Sequence, residues 1–413
     1  MFYLPSDTPQ LSPVHRQTLA KQKIDQDSPG TILQDFHTLI DFVGEKGVEV
    51  SGQYHLLNLK LLAPLNARMT HPLELRLKRP QLKSYPHLNG LYLLLRTTGL
   101  GQIYTMTKKP RLFIDQELLS SWLNLNPTER YFTLLETWAL RGQEAIIGQG
   151  RGGLRDFPLA NWGYFFQRVP AEGLPVAGNS EAEHTLRYWP GLHNLAMLEL
   201  FGLATIKPAP PVEGQGWQIE RVFRTPLGDA LLALLGNYLR DHFDEILSEM
   251  DDLSEIPFGV LQPAVQPYFP EWQNNLTFPD VGFREGIYIF KVGWSDVWRK
   301  IAIPANLSLD DLSSAILNAF RFDYDHLYQF TYPNRFGAYK RAVHPYMDDY
   351  TPATEVRIGE LPLKPGGRMI YLYDFGDNWE FGVTLERIDP PDPKISKPTV
   401  VEKQGRAPKQ YGW

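Results

Sequence analysis

The chain has 413 residues, of which 43% are hydrophobic and 21% charged, with a formal net charge of −6 and no cysteine. A chain of this length predicts two or three domains rather than one core. The missing cysteines exclude disulfides, thiolate zinc sites and cysteine nucleophiles, and they favour a reducing compartment. No signal-peptide pattern opens the chain, and no apolar run reaches the roughly 18 residues of a membrane span. We therefore expect a cytoplasmic protein that does not enter a membrane.

Positive charge is concentrated in residues 60–111, which hold ten Lys or Arg against one acid, Glu74, for a local net charge of +9. A basic module on an acidic chain attracts nucleic-acid phosphates. A solvated basic surface without a partner would give the same count. The predicted nucleic-acid contacts are Arg76, Lys78, Arg79, Lys83, Lys108, Lys109 and Arg111.

The first half of the chain is expected to be mainly helical. Residues 1–30 contain four prolines and are expected to form a loose N-terminal arm. In 31–142, helical spacing follows Thr31 and recurs near 56–69 and 88–98, before two short strands that flank a basic turn. Residues 115–141 predict one further helix. Helix, strand, basic turn and strand is the order found in winged-helix domains, so the region is predicted to be winged-helix-like.

A second domain of the same kind is predicted for residues 143–256. It has a helix that ends at Gly202, a hairpin near 204–224, and a helix that begins at Thr225-Pro226, which suit the N-cap and first helical positions. Five prolines in 257–280 predict a linker. Residues 281–413 contain several strand patterns and one main helix, which predict an antiparallel sheet domain and an α+β fold class for the chain.

Five sequence blocks of this last domain carry a family resemblance. They are Val297–Ile301, Ala319–Phe322, Asp325–Phe330, Tyr371–Trp379 and Gly405–Tyr411. In this order they resemble the plasmid pRiA-type ORF-three-like family. The resemblance implies an association with plasmids and mobile elements, and it brings no established biochemical activity. Many members have a histidine two residues after the motif tryptophan, where this chain has Phe381, so chemistry that uses that histidine is not expected here.

The family motif supplies a candidate site with three interpretations, which are a structural turn, a binding cleft and a catalytic site. Asp374 and Asp377, together with His326, would bind a divalent metal or transfer protons. The interpretation that we favour is a tight turn in which the carboxylates accept backbone N–H groups, with Arg299 paired to one of them and the aromatic side chains in the core. No metal site is predicted, and the sequence names no cofactor. The candidate site residues are Trp298, Arg299, His326, Tyr373, Asp374, Phe375, Gly376, Asp377 and Trp379.

Three functions stay open at this point. The first is a non-enzymatic nucleic-acid-associated protein that contacts DNA through residues 60–111 and binds a protein partner or a ligand through its C-terminal domain. The second is a protein-interaction adaptor without DNA affinity, because the chain is acidic overall and its last domain is charge-neutral and aromatic-rich. The third is a metal-assisted enzyme that uses Asp374, Asp377 and His326. We favour a protein that is not an enzyme.

Overall fold

The computed structural model describes residues 10–104, 109–142, 144–149, 158–248, 256–278, 282–334, 339–347 and 350–411. Helix makes up 36% and strand 23% of the structure, with the helices mainly in the first half, which confirms the α+β class. The chain divides into two units. The first unit comprises Met1–Gln102 and Leu112–Thr277, and the second comprises Ile103–Arg111 and Phe278–Trp413. No helix in the described part of the chain is long and apolar enough to cross a membrane.

Helix α1 (Pro13–Lys21) lies in the segment that was expected to be a loose arm. The Ser12 side chain accepts a hydrogen bond from the backbone N–H of His15 at 3.2 Å, which caps the start of the helix. Leu19 is completely buried, and α1 packs along α10 (Pro226–Ser248). Residues 13–21 are therefore an ordered helix, because one capped turn and one buried leucine anchor them.

Residues 32–114, here called module A, run helix, strand, helix, helix, strand, strand. A two-residue strand extends the sheet at one edge, and the strand order is β2-β1-β4-β3. The sequence prediction missed β1 and β2, and it began the second helix three residues early. The elements are α2 (Ile32–Val43), β1 (Val48–Ser51), β2 (Leu56–Leu57), α3 (Leu59–Asn66), α4 (Pro86–Thr97), β3 (Gly101–Tyr104) and β4 (Arg111–Ile114).

The single helix predicted over 115–141 is divided into two. Helix α5 (Gln116–Asn124) ends before Asn126, and α6 (Pro127–Glu136) begins after it. The Asn126 side chain accepts from the N–H of Glu129 at 3.0 Å, and proline at the first helical position cannot continue the preceding helix. Local capping therefore overrides the apolar stripe that runs through both helices.

Residues 158–224, here called module B, repeat the path of module A. Its strand order, β5-β7-β6, again places the first strand beside the last. Thr225 caps α10 as predicted, because its Oγ1 accepts from the N–H of Gly228 at 3.0 Å. The elements are α7 (Pro158–Phe166), β5 (Leu174–Pro175), α8 (Ser180–Tyr188), α9 (Leu192–Leu200), β6 (Ala204–Pro208) and β7 (Ile219–Arg224).

The two modules share a local connection as well as a topology. Gly99 and Gly202 both follow the third helix with positive φ, at 79° and 72°. The next residue is a fully buried leucine in each module. The carbonyl of each leucine accepts from the N-cap residue of the helix that follows the hairpin, at 2.8 Å in module A and 3.2 Å in module B. The two modules therefore share this connection in backbone geometry as well as in hydrogen bonding.

Helix α4 lies against α9 in the middle of the first unit. All twelve residues of α4 are buried. A Cβ on Gly90 would lie only 2.5 Å from the Sδ of Met197, so the two helices approach closely at this glycine. The third helices of the two modules therefore cover each other.

The proline-rich segment at 256–277 packs within the first unit. It contains α11 (Gln262–Val265), and the Trp272 ring stacks on Phe132 with centroids 4.9 Å apart. Two buried carboxylates of α6 bind its backbone. Glu136 accepts from the N–H groups of 259 and 260 at 2.9 and 2.8 Å, and Glu129 accepts from those of 273 and 274 at 3.1 and 2.6 Å.

The second unit is built on a sheet in which eight strands are described, in the order β12-β11-β10-β13-β14-β8-β9-β15. Neighbouring strands are antiparallel except β11 and β12. Helix α12 (Leu309–Phe320) begins at a capping box formed by Ser308 and Asp311 and packs its apolar side into the sheet core. The sequence prediction missed β11, β12 and β15. The strands are β8 (Ile287–Trp294), β9 (Val297–Pro304), β10 (Tyr328–Pro333), β11 (Tyr339–Val343), β12 (Thr351–Pro352), β13 (Arg368–Tyr373), β14 (Trp379–Asp389) and β15 (Thr399–Gln404).

Candidate functional site

The family motif forms the turn between β13 and β14. Asp374 has a positive φ of 57°, and its Oδ1 accepts from the backbone N–H groups of Gly376 at 2.9 Å and Asp377 at 3.4 Å. The N–H of Asn378 donates to the Asp374 carbonyl at 2.7 Å. Aspartate tolerates this backbone region because its short side chain bonds locally. The role of Asp374 that the geometry supports is closure of the turn.

His326 lies beside the turn, with Nε2 at 3.5 Å from Asp374 Oδ2 and 3.5 Å from Asp325 Oδ1. Asp377 contributes its backbone N–H to the turn, and its side chain is exposed. Within the described ranges, no group of three His, Asp or Glu side chains is placed to hold a metal ion. Asp374, Asp377 and His326 therefore do not form the metal site of the third function.

The four aromatic side chains of the motif differ in how deeply they are buried. Trp379 is half-buried and packs edge-on against Phe322, with ring centroids 4.8 Å apart. Trp298 is half-buried, and the Nζ atoms of Lys291 and Lys300 lie 4.7 and 5.5 Å from its ring centroid. Tyr373 is completely buried, whereas Phe375 is 45% exposed. The placement of Phe375 in the core was therefore wrong, because it occupies the tip of the turn.

Arg299 does not pair with Asp374 or Asp377, so that prediction was also wrong. Arg299 is only 5% exposed, and backbone carbonyls accept from its guanidinium in place of a carboxylate. Since carbonyl oxygens carry no net charge, the positive charge of Arg299 has no counter-ion among the described residues. Its acceptors are the carbonyls of Ala319 at 3.1 Å, Trp298 at 2.8 Å, Gln404 at 2.9 Å and Gly405 at 3.3 Å.

A hydrogen-bond network fixes the C-terminal block 405–411 onto the loop after α12. Gln410 Oε1 accepts from the N–H of Asp323 at 2.6 Å, and Tyr411 OH donates to Asp325 Oδ2 at 2.8 Å. Tyr373 OH donates to the carbonyl of Asp323 at 2.6 Å. The bond from Tyr411 lowers the pKa of Asp325 and raises the pKa of Tyr411 to about 12. The family blocks around His326, Tyr373 and 405–411 thus meet in one place.

A cleft of about 530 Å³ opens beside this network in the second unit, and we call it the basic cleft. Its charged lining consists of five cations and one acid, Asp323. No described carboxylate lies within ion-pair distance of any of these five cations. Burial, and then the charge of Arg321, lower the pKa of Arg299, which indicates a positive environment. The cations are Arg299, Arg321, Lys403, Arg406 and Lys409.

Of these cations only Arg299 was named as a site residue from the sequence. Arg321, Arg406 and Lys409 lie within the family blocks, but no sequence pattern indicated that these three cations share a site. Lys403 lies in β15, a strand that was not predicted. Arg321 ends α12 in the left-handed conformation, which a sequence pattern does not reveal. The cleft forms because β15 pairs with β9 and brings 403–409 to Arg299.

The predicted nucleic-acid contacts fall into separate groups. Arg76 lies 3.9 Å from Glu74, and Lys78, Arg79 and Lys83 are exposed, with no ion-pair partner in the described part of the chain. We call residues 76–83, between α3 and α4, the basic segment. Lys109 is exposed and Arg111 half-buried in the second unit. Lys108 lies outside the described residues.

Comparison with known proteins supports the family resemblance. The family model described as plasmid pRiA4b ORF-3-like protein matches residues 291–410. No curated protein matches the chain. A solved structure of a protein of unknown function from Methanosarcina mazei Go1 matches at 26% identity and a TM-score of 0.28, covering 30% of this chain and 71% of that chain. The C-terminal domain of this chain, over residues 291–410, thus matches the plasmid pRiA4b ORF-3-like family, as its sequence blocks predicted.

Proposed function

We propose that this protein is a non-enzymatic nucleic-acid-associated protein that holds the phosphate backbone of DNA through its basic segment. The observation that carries the proposal is the exposure of Lys78, Arg79 and Lys83 without ion-pair partners among the described residues. When such cations bind phosphates, condensed counterions leave the DNA, which makes the affinity for DNA salt-dependent. The name of the matching family supports a place in plasmid or mobile-element biology.

The topology of modules A and B supports a tandem pair of winged-helix domains. Each module runs helix, strand, helix, helix, strand, strand, with the first strand paired to the last. In DNA-binding helix-turn-helix proteins the later helix enters the major groove. Here the corresponding helix, α4, is buried along its whole length. We therefore propose contact with phosphates only, without base readout by α4.

Fluorescence anisotropy of the full chain with a labelled random DNA duplex, at several salt concentrations, tests this proposal. Lys78→Glu with Arg79→Glu should weaken binding and reduce the magnitude of the salt slope by about 2, since each lost phosphate contact removes about 0.9. The matched control reverses two exposed lysines of the loop before β15, Lys394→Glu with Lys397→Glu. If both double variants bind like the unchanged protein, the basic segment is not the interface.

The alternative is a protein-interaction adaptor that binds through its C-terminal domain. Strand β15 favours it, because the strand lies at an edge of the sheet and Val400 and Val401 are 41% and 51% exposed. An exposed edge strand is a template for pairing with another chain. The same titration separates the two functions, since absence of binding at low salt rejects the nucleic-acid proposal and leaves the adaptor.

A further inference from the structure

We propose that the basic cleft of the second unit binds a small phosphorylated ligand of about nucleotide size. This site is separate from the basic segment, and the proposal does not depend on DNA binding. The cleft volume of about 530 Å³ falls within the roughly 300–1,000 Å³ that small-molecule pockets occupy. The lining comes from β9, the end of α12, β15 and the C-terminal block 405–411, and the hydrogen bonds of Gln410 and Tyr411 to the loop after α12 hold that block in place.

The charge of the cleft favours an anion. Arg299 is the buried cation of the cleft, and the carbonyls that hold it leave its charge uncompensated. The other four cations are exposed, so their side chains are able to reach a ligand that enters. Like charges gathered around one cavity repel each other, and a ligand with several negative charges relieves that repulsion.

Arg321 supplies an independent argument. It follows the last turn of α12 with φ 62° and ψ 42°, the left-handed conformation. Glycine is the residue that this position favours, since a Cβ is strained there. An arginine that accepts backbone strain while its side chain lines a cavity fits a residue held for its guanidinium. The Arg321 side chain forms no ion pair with a described carboxylate that would explain its presence at this position.

Phosphate fits this cleft better than a single carboxylate does. Guanidinium groups bind phosphate oxygens through paired N–H donors, and lysines add point charges. With two exposed arginines and two exposed lysines, the cleft provides donors for more than one phosphate group. Phosphate groups of single-stranded nucleic acid share this chemistry. The concave shape and limited volume favour a free nucleotide or polyphosphate, and the experiment distinguishes the two sources.

Isothermal titration calorimetry of the full chain tests the proposal, with sodium triphosphate, ATP and a short thymidine oligonucleotide as probes at low salt. We expect saturable binding of triphosphate and ATP. Arg321→Gly should weaken it at least about tenfold, because a hydrogen-bonded charge pair is lost. Since glycine suits the left-handed position, Arg321→Gly should melt at the same temperature or higher, which separates lost binding from lost folding.

One further cleft variant and two control variants make the outcome decisive. Lys409→Gln should weaken binding, whereas Lys394→Gln, an exposed lysine outside the cleft, should not. The double variant Lys78→Glu with Arg79→Glu should bind triphosphate normally, so failure here and failure of the DNA proposal are distinguishable. The proposal is overturned by the absence of saturable heat at millimolar triphosphate, by unchanged affinity in Arg321→Gly, or by loss in the double variant. Tighter binding of the oligonucleotide than of ATP, sensitive to Arg321→Gly, would assign the cleft to nucleic acid instead.

Discussion

Glu129 of α6 anchors the segment 270–277 to the first unit, and its removal should release that segment. Glu129 is only 1% exposed. One oxygen, Oε2, accepts from the N–H of Asn126 at 2.8 Å. The other, Oε1, accepts from the N–H of Gln273 at 3.1 Å and from the N–H and Nδ2 of Asn274 at 2.6 and 2.8 Å. Glu129→Ala therefore leaves four donors without their acceptor.

A buried donor without an acceptor costs about 1–3 kcal/mol. The four donors here lie at the low end of that range, because Asn126, Gln273 and Asn274 are exposed residues and water can reach the space that the side chain leaves. We expect Glu129→Ala to lower the free energy of unfolding by about 4 kcal/mol and the melting temperature by roughly 10 °C. Glu129→Gln keeps the volume but turns an N–H group toward the N–H of Asn126, so about half of that loss is expected.

Hydrogen exchange measured by mass spectrometry reports the effect locally. Peptides that contain Gln273 and Asn274 should exchange at least about 100-fold faster in Glu129→Ala, because their amides lose their acceptor. Glu117→Ala, the same change at an exposed position of α5, is the control and should leave both readouts nearly unchanged. Unaltered exchange in 270–277 together with an unaltered melting temperature in Glu129→Ala would refute the reasoning.

Two further predictions concern the first unit. Burial raises the pKa of Glu136 from 4.5 to about 7, so between these values the folded protein holds a proton that the unfolded chain has released. The contribution of Glu136 to the free energy of unfolding should fall by about 3 kcal/mol as the pH rises from 4.5 to 7 and stay level above pH 7. Thermal melts of Glu136→Gln should lack this pH dependence. Equal pH profiles of the two proteins would contradict the prediction. A Cβ at Gly228 would lie 2.1 Å from the carbonyl oxygen of Leu203. Gly228→Ala should therefore lower the free energy of unfolding in urea by about 2 kcal/mol or more, although helix propensity alone predicts a gain of about 1 kcal/mol. Gly216→Ala is the control and should be close to neutral, because nothing lies within 4 Å of a Cβ there. A stabilised Gly228→Ala would show that the backbone shifts freely.

Elements whose signals lie within a few neighbouring residues were predictable. Thr225 and Pro226 begin a helix because the capping hydroxyl and the fixed φ of proline act on the next turn alone. The apolar spacing after Thr31 and within 309–320 gave α2 and α12 for the same reason. The five family blocks were also readable in the linear sequence, and the family match over 291–410 confirms them. The edge strand β15 was not predicted, because all its residues are exposed and no alternation of buried and exposed residues marks it.

Tertiary structure decided which side chains are available to a partner. Helix α4 carries the pattern of a helix with one apolar side, yet packing against α9 contributes to burying all of it. Arg299 was expected to seek a nearby aspartate, but strand pairing between β9 and β15 supplied carbonyl oxygens more than 100 residues away in sequence. The basic cleft exists for the same reason, since Arg299, Arg321 and Lys409 become neighbours only when distant segments pack. The sequence by itself determined local elements and the family of the last domain, because their signals are short-range, whereas the charge and accessibility of the candidate sites depend on contacts that no local pattern encodes.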